Sequence, residues 1–485
     1  MPGAANPFDK ALTCGPLPHP QHKLPVLIRW FDTPVYRRQS FEKRFVINTV
    51  YAQSYFPPSD SKWHTLSTDS LGWSKAALTD LHDYLDDKDS KAFIILKNGK
   101  IAIEWYFDSF SRTDTWYWAS AGKTLTAFLI GLAQQEGTLD IDDPASDYLG
   151  SGWTHCDAER EHLITVRHQL SMTTGLDDGS GDRDCTDPDC LICIAEPGSR
   201  WAYHNAPNTL LGEVLEAATG MNKNSYTYHN LKKRIGMDGV WVQLDYSSTY
   251  FSTARSMARF GILIQNRGVW ESDTLMRDTE YFNAMINTSQ NMNPSYGYLW
   301  WLNGKSRHML PQTRIIFQTD MIPQAPDDLI AALGKNDQKL YVVNSLDLVV
   351  RMGEASGNSK LAVSSFDNEL WSRIMALYDT PSAVRTKDSN TPPRSVLLKS
   401  YPNPFNPVTT INYRLNTSAP VSLFIYNMNG QPVRTLLETV HHSAGEYTTS
   451  WNGTDDRGNH VSSGVYLMQL RSGTRIETHK NVLTR

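Results

Sequence analysis

The chain contains no apolar run of the ~18 residues that a helix needs to cross a bilayer. It also has no excess of positive charge, since 46 Lys and Arg are outnumbered by 51 Asp and Glu and the pI is about 6.3. These absences argue against a membrane-spanning segment and against a basic surface for nucleic acid or anionic lipid. A hydrophobic content of 40% with 14 Trp is sufficient for a large core. A length of 485 residues predicts two or more domains.

Three motifs of common enzyme classes are missing as well. The stretch AGKT at 121–124 is half of a P-loop, but Tyr117 occupies the position of the first glycine. A nucleophile elbow, G-x-S-x-G, needs glycine where Trp118 stands, and this motif occurs nowhere else in the chain. The zinc hydrolase motif H-E-x-x-H is absent. The sequence therefore argues against a P-loop NTPase, an α/β-hydrolase and a zinc hydrolase of that type.

The first fifty residues are rich in proline and lack periodicity. They also lack the apolar segment of ~7–15 residues that a signal peptide requires. Val50 and Ala52 form a small-x-small pattern like that of a signal-peptidase site, so we expect a mature chain to begin near Gln53. Residues 1–52 are then a disordered or artefactual N-terminal extension.

From Asp69 to Tyr378, within a domain predicted to span residues 53–378, strand-like and helix-like segments alternate. Two strand-like runs flank the dipeptide Asn98-Gly99, which is typical of tight hairpins. Two helical patterns end at Gly137 and Gly220, as helices commonly do. Strands at both ends with helices between them predict an α+β domain, in which one antiparallel sheet is flanked by helices.

A change of composition marks the end of this domain. Residues 379–395 are polar, contain proline and lack periodicity, which predicts a linker. Beyond it, short strand-like runs are separated by Asn-Gly and other glycine-containing turns. Residues 396–485 are therefore predicted to form a small β-sandwich.

The helix predicted from Ser120 to Gly137 begins with a hydroxyl and a cation three residues apart, yet it is almost wholly apolar from Leu125 to Ala133. Side chains three residues apart share a helix face, so Lys123 can reach the Oγ of Ser120. A helix N-terminus favours the negative charge that develops on a serine nucleophile, and a desolvated lysine can accept a proton near neutrality. The alternative is structural: an N-cap serine and a lysine that extends to solvent.

A serine–lysine pair needs a second proton-transfer group and a residue that holds the substrate. The phrase EPGSRWAYHNAPNTLLGEVLE places Tyr203 and Asn205 directly before a predicted helix. Ser-x-x-Lys and Tyr-x-Asn each recur elsewhere in the chain, so neither motif is specific alone. The longer phrase from Pro197-Gly198 onward distinguishes Tyr203 from the other tyrosines.

Four motifs follow one another: Ser-x-x-Lys at 120–123, LITVRHQLSMTTGL at 163–176, Pro-Gly-x-x-x-x-Tyr-x-Asn at 197–205, and YGYLWW at 296–301. Their combination resembles the class C β-lactamase-related serine hydrolases. This family includes penicillin-binding proteins, family VIII carboxylesterases and 6-aminohexanoate-dimer hydrolases. The resemblance spans residues 72–377 and implies a sheet and a helical lobe with the active site between them.

The resemblance also implies roles for individual residues. Ser120 would be the nucleophile, Lys123 its proton acceptor and Tyr203 the general base and acid, while Asn205 would hydrogen-bond the substrate. No cofactor and no metal ion is implied.

The third motif of the family, Lys-[Ser/Thr]-Gly or His-x-Gly on an edge strand, aligns best with Ala332-Leu333-Gly334. Gly334 would let the strand approach the substrate closely. The backbone N–H of Lys335 would then form an oxyanion hole with that of Ser120. Because the cation of the motif is missing, we expect poor recognition of β-lactams, unless the side chain of Lys335 turns inward and replaces it.

Three cysteines, Cys185, Cys190 and Cys193, cluster in the stretch CTDPDCLIC. A zinc site is one interpretation, with Cys156 or a distant histidine as the fourth ligand. A disulfide between Cys185 and Cys190 is the interpretation we favour if the protein is exported. The pairing of the other cysteines stays open.

The C-terminal region carries the phrases YPNPFNPVTTINYRL, IYNMNGQPVRTL, SSGVYLMQLRSG and a terminal KNVLTR. Over residues 396–485 these resemble the type IX secretion sorting domains of Bacteroidetes-like bacteria. The resemblance implies a secreted or cell-surface enzyme whose C-terminal domain contacts the secretion machinery or the cell surface. The alternative is an Ig-like spacer or adhesion domain.

The sequence thus predicts a secreted serine hydrolase that acts on a small-molecule ester through an acyl-enzyme on Ser120. Hydrolysis of an amide oligomer, of the 6-aminohexanoate-dimer type, is the second expectation because the same chemistry serves both. A penicillin- or peptidoglycan-binding protein that is acylated but turns over weakly is the third.

Overall fold

The structure is a computed structural model. It describes residues 55–59, 62–179, 181–346, 348–354, 365–378, 397–403, 405–415, 418–427, 431–472 and 475–484. The expected N-terminal extension, the suggested start at Gln53 and the linker at 379–395 lie outside these residues.

Helices and strands alternate in the first part of the described chain. Its helices are α1 (Lys75–Asp87), α2 (Gly122–Gln135), α3 (Ser146–Leu149), α4 (Ala158–His162), α5 (Val166–Leu170), α6 (Asn205–Thr209), α7 (Leu211–Thr219), α8 (Lys223–Thr227), α9 (Lys233–Ile235), α10 (Ala254–Gln265), α11 (Thr279–Met285) and α12 (Ser365–Tyr378). Its strands are β1 (Ser90–Lys97), β2 (Lys100–Tyr106), β3 (Trp116–Tyr117), β4 (Val240–Leu244), β5 (Ser247–Ser252), β6 (Val269–Trp270), β7 (Asp273–Thr274), β8 (Trp301–Leu302), β9 (Leu329–Gly334), β10 (Gln338–Val343) and β11 (Leu348–Gly353).

The main sheet has six strands in the order β2-β1-β11-β10-β9-β8, and its neighbours pair antiparallel. Strand β1, from the start of this part of the chain, pairs with β11, from its end. The hairpin between β1 and β2 turns at Asn98 and Gly99, whose φ angles of 51° and 78° are those of a tight primed turn. The predicted α+β class, with one sheet built from both chain ends, is confirmed.

Helix α2 is buried along its length, as its apolar sequence predicts, and it ends before Gly137, which has a φ of 73°. Helix α11 lies directly against it. A Cβ at Gly131 would be 2.3 Å from a ring carbon of Tyr281, and the hydroxyl of Tyr281 donates to the Ala127 carbonyl at 2.6 Å. The middle of α2 is therefore packed closely against α11.

The C-terminal region is all-β. Its strands are β12 (Leu397–Tyr401), β13 (Thr409–Leu415), β14 (Ala419–Asn427), β15 (Pro432–His442), β16 (Gly445–Trp451), β17 (Gly464–Ser472) and β18 (Arg475–Leu483). They form two sheets, β12-β13-β16 and β15-β14-β17-β18. Alternate residues such as Ile411, Leu423 and Met468 are buried in a separate core, in which Trp451 is 1% exposed. The predicted all-β fold is confirmed, and no helix within the described ranges is long and apolar enough to cross a membrane.

Candidate active site

Ser120 lies in a 3-10 turn, Ala119–Ala121, that leads directly into α2. The α-helix itself begins at Gly122, two residues later than the sequence predicts. The cap positions of the two helical segments are Trp118 and Ala121, and no side chain caps either of them. The alternative of an N-cap serine is therefore wrong, because the hydroxyl of Ser120 caps neither segment.

The backbone at this turn is strained. Ala119 has a φ of 48°, a left-handed conformation that costs a non-glycine residue about 1–3 kcal/mol. Trp118 before it is anchored on two sides: its N–H donates to the Tyr250 carbonyl at 2.8 Å, and its Nε1 donates to the Ser252 hydroxyl at 2.8 Å. Tertiary packing thus imposes on Ala119, directly before Ser120, a backbone conformation that it would not adopt from local preference.

Lys123 contacts both other residues of the predicted triad. Its Nζ donates a hydrogen bond to the Oγ of Ser120 at 3.1 Å, and the same Nζ lies 5.4 Å from the ring centroid of Tyr203. The side chain of Lys123 is half-buried, and Tyr203 is 9% exposed. The structure therefore brings Ser120, Lys123 and Tyr203 together, with the lysine between the other two.

Aromatic side chains hold the ring of Tyr203. Trp301 stacks on it with centroids 5.8 Å apart, and Tyr296 meets it edge-on at 6.2 Å. Tyr296 and Trp301 also contact each other, with centroids 4.9 Å apart. Such a cluster limits the rotation of the Tyr203 ring and excludes water from one side of it. The YGYLWW motif thus supplies the wall behind Tyr203.

Gly334, the last residue of β9, lies against the turn that carries Ser120. A Cβ at this position would be 2.4 Å from the Trp118 carbonyl oxygen and 3.1 Å from the Ala121 nitrogen. Lys335 follows in a short turn, Lys335–Asp337, and its side chain is exposed. The third-motif region is therefore beside the nucleophile, as the register at Gly334 predicts.

A buried arginine supports this turn, and no motif in the sequence points to it. Arg351 is 0% exposed, and its Nη1 donates to the carbonyl oxygens of Asn336 and Asp337, each at 3.1 Å. Asn336 also donates from Nδ2 to the Tyr117 hydroxyl at 2.7 Å. Both turn residues have positive φ, 59° and 56°, so these bonds hold a strained backbone. The sequence pointed to this residue only through its position as the one charged residue in the apolar run LVVRMG.

Asn205 is the first residue of α6, two positions after Tyr203. His204 between them is extended, with φ −110° and ψ 120°. His204 is 3% exposed, and burial lowers its pKa to about 4. The Nδ2 of Asn205 donates to the Oδ1 of Asp184 at 2.7 Å. Its own Oδ1 is buried and accepts no hydrogen bond from any residue that the structure describes.

Asp184 lies on a loop that two disulfides close. Cys185 is bonded to Cys190, as favoured from the sequence, and Cys156 is bonded to Cys193, a pairing that the sequence left open. The zinc-site alternative is wrong because all four cysteines are paired. Across the described ranges, no group of three His, Cys, Asp or Glu side chains is arranged to hold a metal ion.

A second lysine, Lys223, is buried close to the first. Its Nζ lies 3.5 Å from the ring centroid of Trp241, and the same ring would contact a Cβ at Gly122, beside Lys123. Burial lowers the pKa of Lys223 to about 7; Glu216 opposes this change, and the charge of Lys123 adds to it. No motif in the sequence marked this residue.

Two parts of the chain resemble known protein families. The Beta-lactamase family model matches residues 85–313, and the FlgD Ig-like domain model matches residues 406–475. The chain is 25% identical over 360 residues to the 6-aminohexanoate-dimer hydrolase of Paenarthrobacter ureafaciens, which covers 64% of this chain and 88% of that protein. An uncharacterized protein of Alkalihalophilus pseudofirmus is 22% identical over 257 residues, 45% of this chain and 72% of that one.

The fold is also that of a solved structure from Bacillus anthracis, provisionally described as a 6-aminohexanoate-dimer hydrolase. The two share a TM-score of 0.51 and 18% identity, over 68% of this chain and 91% of that one. For the C-terminal region, the match is to an Ig-like model. The region that holds Ser120, Lys123 and Tyr203 therefore has the β-lactamase fold and resembles β-lactamase-related hydrolases, among them a 6-aminohexanoate-dimer hydrolase.

Proposed function

We propose that this protein hydrolyses a small, neutral carboxylic ester through an acyl-enzyme on Ser120. The hydrogen bond of 3.1 Å between the Nζ of Lys123 and the Oγ of Ser120 carries this proposal. It places a proton acceptor next to a hydroxyl that has no capping role. The buried ring of Tyr203 lies beside the lysine, with its centroid 5.4 Å from the Nζ, and we assign the second proton transfer to its hydroxyl.

The reaction has two halves. The Oγ of Ser120 attacks the ester carbonyl carbon while its proton passes to Lys123, and the carbonyl oxygen becomes an oxyanion. The backbone N–H groups of Ser120 and Lys335 stabilise this charge, which requires the close approach of β9 that Gly334 permits. Collapse of the intermediate expels the alcohol, which receives a proton through Tyr203. Water then attacks the acyl-enzyme by the reverse route and releases the acid and Ser120.

The preference for a neutral substrate rests on the third-motif region. Ala332 and Leu333 are 0% and 1% exposed, and they stand where the family has a cation and a hydroxyl or small residue. The side chain of Lys335 is exposed at the end of the strand. A carboxylate on the substrate would be partly desolvated without a partner, which costs several kcal/mol.

An amide substrate is the second candidate. The relative from Paenarthrobacter ureafaciens is named for hydrolysis of an amide dimer. The unpaired oxygen of Asn205 also offers an acceptor for an N–H group of a substrate. Acyl transfer from an amide uses the same residues, but the leaving amine requires a proton from Tyr203.

Replacement of the nucleophile tests the proposal. We expect Ser120→Ala to abolish hydrolysis of p-nitrophenyl acetate with an unchanged melting temperature, because only a half-buried hydroxyl is lost. A serine-reactive phosphonate should label Ser120 in the original protein. Ser111→Ala, at an exposed serine, is the matched control and should retain activity. Turnover by Ser120→Ala at the original rate would contradict the proposal. If the original protein were acylated at Ser120 but did not turn over, it would instead be a penicillin-binding protein.

We also propose that the enzyme is exported and that residues 396–485 direct it to the secretion machinery or the cell surface. Two disulfides support export, because such bonds persist in oxidising compartments. Cell fractionation with and without residues 379–485 tests this, because the truncated enzyme should stay active but remain inside the cell envelope. Equal export of both forms would contradict the sorting role.

A further inference from the structure

Two contacts connect the chain just before the nucleophile with the turn that follows β9. In the first, Gly334 packs against Trp118, where a Cβ would be 2.4 Å from the carbonyl oxygen. In the second, the Nδ2 of Asn336 donates a hydrogen bond of 2.7 Å to the hydroxyl of Tyr117. Lys335, whose N–H is the proposed oxyanion donor, lies between Gly334 and Asn336 in the chain. One contact therefore lies on each side of this donor.

The two contacts act in opposite directions. The packing of Gly334 on Trp118 is steric, and it limits how closely the turn can approach the nucleophile. The hydrogen bond between Asn336 and Tyr117 resists separation of the same two segments, because it weakens steeply as the donor and acceptor move apart. A steric limit on one side and an attraction on the other keep the distance between the segments fixed.

Both ends of the hydrogen bond are anchored elsewhere. The carbonyl of Asn336 accepts from the Nη1 of Arg351 at 3.1 Å and from the Nε2 of Gln338 at 2.8 Å. Tyr117 lies in β3, which pairs with β5, and its ring centroid is 6.2 Å from that of Phe251. Burial raises the pKa of Tyr117, so its hydroxyl is neutral near pH 7 and above. The side chain of Asn336 thus links the main sheet to the strand before the nucleophile.

We propose that Tyr117 and Asn336 are positioning residues for the oxyanion hole. Their hydrogen bond holds the N–H of Lys335 at the distance from the N–H of Ser120 that a single oxyanion requires. The inference rests on the proposed acyl transfer at Ser120. Two donors stabilise the developing charge fully only when both are aimed at the same oxygen. Without the hydrogen bond the turn can move away, and a displacement of about 1 Å weakens catalysis ~10²-fold.

Two substrates that differ in the atom inside the oxyanion hole test the proposal. They are p-nitrophenyl acetate and p-nitrophenyl thionoacetate, in which C=S replaces C=O. Sulfur is a weak hydrogen-bond acceptor and lies farther from the carbon, so a hole that is fixed for oxygen discriminates against it. Relative to the spontaneous rates, we expect the original enzyme to prefer the oxygen ester by at least ~10²-fold in kcat/KM, the effect of losing one oxyanion donor. The leaving group is the same, so the ratio reports on the hole.

Two variants should reduce this ratio to less than about tenfold and lower kcat/KM on the oxygen ester by ~10-fold or more. Tyr117→Phe removes the hydroxyl and keeps the ring. Asn336→Gly removes the amide at a position whose φ of 59° glycine adopts readily. The double variant should lose no more than either single variant, because both substitutions remove the same hydrogen bond.

The matched controls remove the same groups elsewhere in the catalytic domain. Tyr148→Phe deletes a hydroxyl that donates to the Oδ2 of Asp143 at 2.5 Å. Asn98→Gly replaces an asparagine whose φ is 51°, at the turn between β1 and β2. Both controls should keep the ratio and the activity of the original enzyme, and melting temperatures establish that all variants are folded.

The outcomes separate this inference from the proposed function. Hydrolysis that depends on Ser120 but shows a ratio near one in the original enzyme would overturn the positioning role alone. An unchanged ratio in both folded variants would do the same, even if both rates fell together, because a general structural defect affects the two substrates equally. Hydrolysis of both substrates by Ser120→Ala at the original rate would overturn the proposed function, and the inference with it.

Discussion

Gly334 and Trp118 are in backbone contact: a methyl group on Gly334 would lie 2.4 Å from the Trp118 carbonyl oxygen. One residue is the end of β9, and the other is the residue before the 3-10 turn that carries Ser120. The φ of Gly334 is −122°, which any residue adopts, so glycine is required here for space and not for conformation. This contact sets the distance between the nucleophile and the proposed oxyanion donor, the N–H of Lys335.

Gly334→Ala should therefore lower kcat by ~10²-fold or more, since a displacement of about 1 Å at an active site has an effect of that size. The measurement is the steady-state rate on p-nitrophenyl acetate together with the melting temperature. Gly464→Ala is the control, because a Cβ there would meet nothing within 4 Å. A folded Gly334→Ala enzyme with the original kcat would show that β9 takes no part in catalysis.

Lys123→Ala and Tyr203→Phe should each reduce kcat by at least ~10²-fold, the usual scale for groups that transfer protons. The double variant should lose little more than either single one, because groups that act as a unit are not additive. Tyr228→Phe, at a tyrosine that is 48% exposed, is the control for the hydroxyl deletion. If Lys123→Ala lowered the melting temperature but kept the rate, the lysine would be structural.

A short-chain p-nitrophenyl ester should exceed nitrocefin in kcat/KM by at least ~10²-fold, which is about 2.7 kcal/mol. The physical reason is the carboxylate of nitrocefin, for which Ala332 and Leu333 offer no partner. Lys335→Ala, measured on both substrates, shows whether the exposed lysine takes that role. A selective loss of nitrocefin turnover would identify Lys335 as the anion-binding residue and contradict the preference for neutral esters.

Lys223 should make the folded protein more stable as the pH rises above neutrality. Its pKa falls from the usual 10.5 to about 7 in the folded state, mainly through burial, so between these values the unfolded chain binds more protons. The free energy of unfolding then increases with pH, by roughly 3 kcal/mol between pH 7 and pH 9.5 from this group. Lys223→Met keeps the packing on Trp241 without the charge, so it should lack this increase.

Urea denaturation at the two pH values, compared between the original protein and Lys223→Met, isolates the contribution from that of other titrating groups. The variant should also be the more stable protein at pH 7. Identical pH dependence in both proteins would mean that Lys223 is not desolvated as the fold indicates.

Local sequence determined the helices and strands of this protein and the Ser120–Lys123 pair of its candidate site. The buried helix α2, the Asn98-Gly99 hairpin and the closing Gly137 follow from periodicity and backbone preference, which act over a few residues. The Ser120–Lys123 contact is also local, because it joins side chains three residues apart where a 3-10 turn leads into α2. The association of Tyr203 with this pair came from resemblance to a family and not from spacing.

Tertiary structure alone decided the other contacts. Asp184 and Asn205 are 21 positions apart, and Gly334 lies far along the chain from Trp118. Arg351, the buried Lys223 and the Cys156–Cys193 disulfide are likewise defined by partners on distant segments. No period or motif encodes such pairs, because they depend on how closely packed elements approach one another and on which polar groups are left without water. Local chemistry therefore determined which residues could react, and the packing of distant segments determined the surroundings in which they would do so.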